Sequence, residues 1–182
     1  MSDTAIVGEN IEVIQTKARS AFNWGVVIAG ALAAWAVAFI FISLGSGIGL
    51  AISTPYSGPS ATAMTIGGAI WLVFAETCGF AVGGYMAARL RIRDHIPGPE
   101  TKFRDAAHGF MAWVIGVALM SAAVLALGAL SAHVGTGPVA ETTDAARKAA
   151  AYVSFWSFMA LLFGAVAATL AGMLGGELRD EN

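Results

Sequence analysis

Charge is what this chain has least of. Of its 182 residues, 12% are Asp, Glu, Lys or Arg, where a soluble domain carries about 25%. Between Phe22 and Ala88 the only charged residue is Glu76, and 106–140 and 149–176 have none. Such uncharged runs exclude an ordinary water-soluble domain. Cysteine is nearly missing as well. The single Cys78 rules out an internal disulfide and any cysteine-rich metal site. Proline is scarce, and all five residues (Pro55, Pro59, Pro97, Pro99, Pro138) fall between the apolar runs, as expected of a residue that breaks helix interiors.

What is present is apolar: 57% of the chain is hydrophobic and the mean hydropathy is +0.72. A hydrocarbon core about 30 Å thick needs about 20 apolar residues in a helix rising about 1.5 Å per residue. Four segments meet that length: 22–50, 64–90, 106–132 and 149–175. The expected fold is therefore all-α, a four-helix transmembrane domain over 22–176, with a tail at 1–21 and another at 177–182. Ile11, Ile14, Ala18 and Ala21 share one face of the first tail, which reads equally as an interfacial helix or as a plain tail. The first apolar segment is too long for the core of a signal peptide and reads as an uncleaved anchor.

The cations set an orientation. Arg89, Arg91, Arg93, Lys102 and Arg104 crowd the connection between the second and third segments. Lys17, Arg19 and Arg179 fall on the same side, and only Arg147 and Lys148 on the other. Cytoplasmic loops are enriched in Lys and Arg, so both termini are expected in the cytoplasm. The arginine-rich connection reads as a topology signal that meets anionic lipid headgroups. No nucleic-acid partner is expected.

Small residues recur every fourth position. Ala75, Gly79, Gly83 and Ala87 line the second segment, and Ala160, Gly164, Ala168, Gly172 and Gly176 the fourth. Helices in lipid associate through close backbone approach, so such rows mark contact faces. They are expected either to hold the bundle together or to dock another membrane subunit or a second copy. At an offset of 85, Trp71, Ala75, Gly79, Gly83 and Ala87 fall on Trp156, Ala160, Gly164, Ala168 and Gly172, which suggests a tandem repeat of two helical hairpins. The run Gly45-x-Gly47-x-Gly49 has no preceding strand and is not read as a nucleotide loop.

Glu76 is the one candidate for chemistry inside the membrane. It lies 13 residues before Arg89, roughly 20 Å along the helix and so near the bilayer centre. A carboxyl there costs about 2.5–3.5 kcal/mol on insertion scales and marks a functional site by default. No Lys or Arg shares its depth, so it is expected neutral and hydrogen-bonded, with Ser121, Thr77 and Ser157 as candidate partners. The two readings are a polar clasp between helices and a proton or cation site. His108 and His133 lie on one segment at opposite ends, which leaves no pair for a haem. No histidine shares depth with Glu76 and a serine, so no nucleophile–base–acid set forms. Enzyme activity, cofactors and metals are not expected.

Asn23-Trp24-Gly25 with Ala29-Gly30-Ala31, Leu44-Gly45 with Gly47-Ile48-Gly49-Leu50, and Ile66-Gly67-Gly68-Ala69-Ile70-Trp71 form a pattern. It continues with Gly83-Gly84-Tyr85-x-Ala87-Ala88-Arg89-Leu90 and His108-Gly109-x-x-x-Trp113. In these the chain resembles a group of small multi-pass bacterial membrane proteins labelled PhnA-like and related to the YrzE-type group. The resemblance implies a bacterial inner-membrane location and supplies no established activity. It implies no phosphonate hydrolase, because the metal ligands for that chemistry are missing. The expected role is a non-catalytic membrane protein that acts by helix association, as an accessory subunit or a homo-oligomer; the alternative is a small channel or transporter using Glu76.

Overall fold

The computed structural model describes residues 22–53, 60–92, 98–133 and 144–181. Residues 1–21, 54–59, 93–97, 134–143 and 182 lie outside the described residues. Four helices make up nearly all of the rest: α1 (Trp24–Ile52), α2 (Ala61–Arg89), α3 (Gly98–His133) and α4 (Asp144–Asp180). All four are long and apolar enough to cross a membrane, so the fold is that of a multi-pass integral membrane protein. α3 and α4 run to 36 and 37 residues, about 55 Å each, and extend well past a bilayer core. α3 starts eight residues before the apolar run, with Pro99 in its first turn, where a missing N–H leaves no helical bond unmade. α4 continues through Glu177 to Asp180, so most of the expected C-terminal tail is helix. Ser60 caps α2, its Oγ accepting from the Ala63 N–H at 3.2 Å.

The helices pair as two antiparallel hairpins, α1 with α2 and α3 with α4, while α2 and α4 lie side by side and parallel. The register follows from the glycines. A Cβ on Gly83 would stand 2.5 Å from the Gly30 carbonyl oxygen and 2.7 Å from the Ala34 methyl. On Gly79 it would stand 2.7 Å from the Ala34 oxygen. In the second hairpin a Cβ on Gly172 would meet the Asp105 oxygen at 2.7 Å, and one on Gly109 the Ala168 carbonyl. Between hairpins, Phe80 of α2 wedges against Gly116 of α3 and Gly164 of α4, and Gly84 sits on the Ala168 carbonyl. α1 and α4 do not touch among the described residues. Ala75, Ala87, Ala160 and Ala168 are all buried to within 1%. Both rows of small residues are thus spent on packing within the chain.

The termini of α1 and α4 meet the α2–α3 connection at one end of the bundle, called here the terminal end. Every described side chain that is buried lies on that side of Ala38, Ala75, Gly116 and Ala160. Beyond them, toward the far end, no described side chain is buried, and Phe39, Ile40, Leu44, Leu125, Leu127 and Leu130 are exposed. Small residues let backbones touch, as they do at Gly79, Gly83, Gly109 and Gly172.

Candidate functional site

Two places carry polar groups inside this apolar frame. The first is at the terminal end. Asp105, in the second turn of α3, is 2% exposed. Its Oδ1 accepts from Arg91 Nε at 2.9 Å and from Arg179 Nη1 at 3.0 Å, and its Oδ2 from Arg179 Nη2 at 3.1 Å. Arg179 Nη1 also donates to the Ala88 carbonyl at 3.0 Å. Gly176 makes room for this carboxylate, since a Cβ there would land on it. One turn along α3, His108 is fully buried. Its Nε2 accepts the Asn23 backbone N–H at 3.1 Å, which leaves Nδ1 as the protonated nitrogen, donating to the Arg104 carbonyl at 2.7 Å. The Asn23 side chain makes no cap bond, so an imidazole from α3 serves one of the orphan N–H groups at the start of α1. Phe22 stacks on the ring at 4.3 Å between centroids. These bonds tie all four helices together at one level.

Of the cations expected to face lipid headgroups, Arg91 is instead 5% exposed and ion-paired inside the protein. Arg104 is bonded to Glu100 one turn away at 2.8 Å, and Lys102 to Glu177 at 2.7 Å, both at the surface. Arg89 is half-buried, with its Nη1 shut off and unbonded. Asp105, Arg179 and His108 carry the arrangement, and charge count and hydropathy alone do not single them out. The signal available was the pair Asp105 and His108, three apart at the start of a span and so on one helical face.

The second place is Glu76. It is 7% exposed, and its Oε2 is buried with no hydrogen-bond partner among the described residues. Two of the candidate partners bond elsewhere. Thr77 Oγ1 donates to the Val73 carbonyl of its own helix at 2.6 Å, and Ser121 Oγ to Val117 of its own at 2.9 Å, out on the exposed side of α3. Ser157 of α4 is half-buried and makes no bond to Glu76. Two indole N–H groups, of Trp113 and Trp156, are also buried without an acceptor. Trp35 Nε1 donates to the Gly116 carbonyl at 3.1 Å, joining α1 to α3 beside the Phe80 wedge. Among the described residues Glu76 is thus the buried polar residue farthest from the terminal end.

In the far half α1 and α2 form an apolar surface groove of about 420 Å³, lined by Ile42, Gly45, Gly49, Gly68, Trp71 and Leu72 among others. Trp71 Nε1 donates to the Phe41 carbonyl at 2.8 Å, and its ring lies on Gly45. Phe41, Trp71 and Phe74 form an aromatic cluster with centroids 5.4–6.5 Å apart. No group of three His, Cys, Asp or Glu residues that could hold a metal occurs among the described residues. No family model, no curated protein and no solved structure matches the chain.

Proposed function

We propose that the protein works by helix association in a bacterial inner membrane, without catalysis, as an accessory subunit of a larger membrane complex or as a homo-oligomer. The observation that supports this reading is the far half of α3. From Ser121 to Leu130 none of its side chains is buried, and Val124, Leu125, Leu127 and Leu130 are each more than 60% exposed. The small-residue rows of α2 and α4 are already used inside the chain, so the contact face for a neighbour falls here. Both termini face the cytoplasm in this reading, because eight of the ten Lys and Arg lie at their end and follow the positive-inside rule. The likeness to the PhnA-like and YrzE-type group belongs to the same proposal. So does a duplicated hairpin, for which two antiparallel pairs crossing through small-residue seams are the natural remnant.

The test is cross-linking in native membranes. Leu125→Cys in a Cys78→Ser background should give a disulfide-linked dimer or a stoichiometric adduct with one membrane subunit, while a cysteine at the equally apolar Leu32 should not. Monomeric behaviour of both variants in intact membranes would refute association through α3.

A second reading rests on Glu76, buried with an unbonded oxygen: a small channel or transporter in which this carboxyl takes a proton or cation. It expects Glu76→Gln to abolish flux into liposomes while leaving the bundle assembled.

A further inference from the structure

His108 holds the start of α1 through a bond that exists in only one of its protonation states. Its Nδ1–H donates to the Arg104 carbonyl at 2.7 Å, so Nε2 keeps the lone pair that takes the Asn23 N–H at 3.1 Å. Both ring nitrogens are donors in the imidazolium. A second proton, on Nε2, would point at the Asn23 N–H and set two donors against each other. The Asn23 side chain makes no cap bond of its own that could take over.

The surroundings have no place for that second proton. His108 has no exposed surface, and Phe22 covers the ring face. The charges that act on the imidazole are Arg91 beyond the end of α2, Asp105 on α3 and Arg179 on α4. α1 carries no charge between residues 22 and 52, and the Arg104 guanidinium, on α3, is bonded to Glu100 at 2.8 Å. Asp105 already faces the guanidinium groups of Arg91 and Arg179. A cationic His108 would add a third positive group beside one carboxylate. The closed ring therefore takes its proton after the start of α1 has lifted away, and once protonated it cannot take the Asn23 N–H back. Two turns further along, Gly30 lies against Gly83, a contact with no titratable group in it, so the release is confined to the first turns of α1.

We propose that His108 is a pH-sensitive latch on the start of α1: the neutral ring holds Asn23, and protonation releases it. Imidazole ordinarily titrates near pH 6.5, so the latch is closed above that value and loosens as the pH falls below it. The device lies at the terminal end, whereas association was assigned to the far half of α3, so each can fail alone.

The experiment is hydrogen exchange of the full chain in lipid nanodiscs from pH 7.5 to 5. Results are taken as protection factors, so that the intrinsic pH dependence of exchange cancels. The amides to follow are Asn23, bonded to His108, and Val27, bonded to the Asn23 carbonyl; Ala31, buried deeper in α1, is the control. In the wild type the opening of Asn23 and Val27 should grow below about pH 6.5 with a slope approaching tenfold per pH unit, the linkage slope for one proton, while Ala31 stays flat. His108→Gln keeps an acceptor for Asn23 and a donor for Arg104 but does not titrate, so its profile should be flat. Asn23→Pro keeps the imidazole and has no N–H to give, so Val27 should open equally at every pH; this variant decides if His108→Gln fails to fold. A flat wild-type profile would overturn the proposal. So would a slope that survives in His108→Gln or in Asn23→Pro, which would assign the proton to another group.

Discussion

Asp105→Asn removes one negative charge and keeps the side chain's size, so it tests the terminal cluster without opening a cavity. In the wild type this carboxylate serves two guanidinium groups whose side chains are only 4% and 9% exposed. Breaking a buried ion pair by removing one partner costs about 3–5 kcal/mol, because the remaining charge stays out of water. Arg179 keeps two acceptors, Asp180 Oδ1 at 2.9 Å and the Ala88 carbonyl at 3.0 Å, which places the expected loss at the low end. About 3 kcal/mol corresponds to roughly a hundredfold shift of the unfolding equilibrium. Unfolding in mixed micelles of mild detergent and dodecyl sulfate, followed by tryptophan fluorescence, measures it. A double-mutant cycle with Arg91→Gln should return a coupling of about 0.5–3 kcal/mol. If Asp105→Asn stayed within about 0.5 kcal/mol of wild type, the level of an ordinary surface change, the cluster would not be holding the helices together.

Gly83→Ala should separate α1 from α2, because its methyl would stand 2.5 Å from backbone at Gly30 and backbone cannot swing away. An overpacking cost of about 1–3 kcal/mol is expected, whereas Gly67→Ala, which adds its methyl in open space, should leave the melting temperature unchanged or slightly raised. His108→Phe keeps a ring for Phe22 to stack on and removes the acceptor for the Asn23 N–H. It should cost about 1–3 kcal/mol, the range for a buried donor left unsatisfied, and hydrogen exchange should show the first turn of α1 losing protection before the rest. Lys102→Ala should leave the melting temperature unchanged, since its pair with Glu177 is at the surface, where such pairs contribute little.

The number of helices, their membrane nature and their approximate spans were legible in the sequence because lipid imposes a one-dimensional rule. Length and apolarity along the chain settle what can cross, and that rule needs no knowledge of neighbours. Spacing also identified the small-residue rows of α2 and α4, since a helix turns every 3.6 residues whatever surrounds it. Which surface each row meets was a different matter. Gly79 and Gly83 lie against α1, and Gly172 against α3, and nothing within either row distinguishes an inner seam from an outer docking face.

The polar groups depended on the tertiary structure most. Arg91, Asp105 and Arg179 are separated by 14 and 74 positions, and each alone looks like a surface charge near a membrane end. Only the meeting of α2, α3 and α4 at one level makes them a buried cluster. Glu76 showed the reverse: its depth was readable from its distance to Arg89, but its lack of a partner was not. Whether a serine on another helix reaches it depends on how far that helix is rotated and how closely it approaches, and α3 turns Ser121 outward to the exposed side. Hydropathy is a property of each residue and survives in the sequence. A hydrogen bond is a property of a pair, and helices packed through glycine and alanine fix that pair only once their backbones touch.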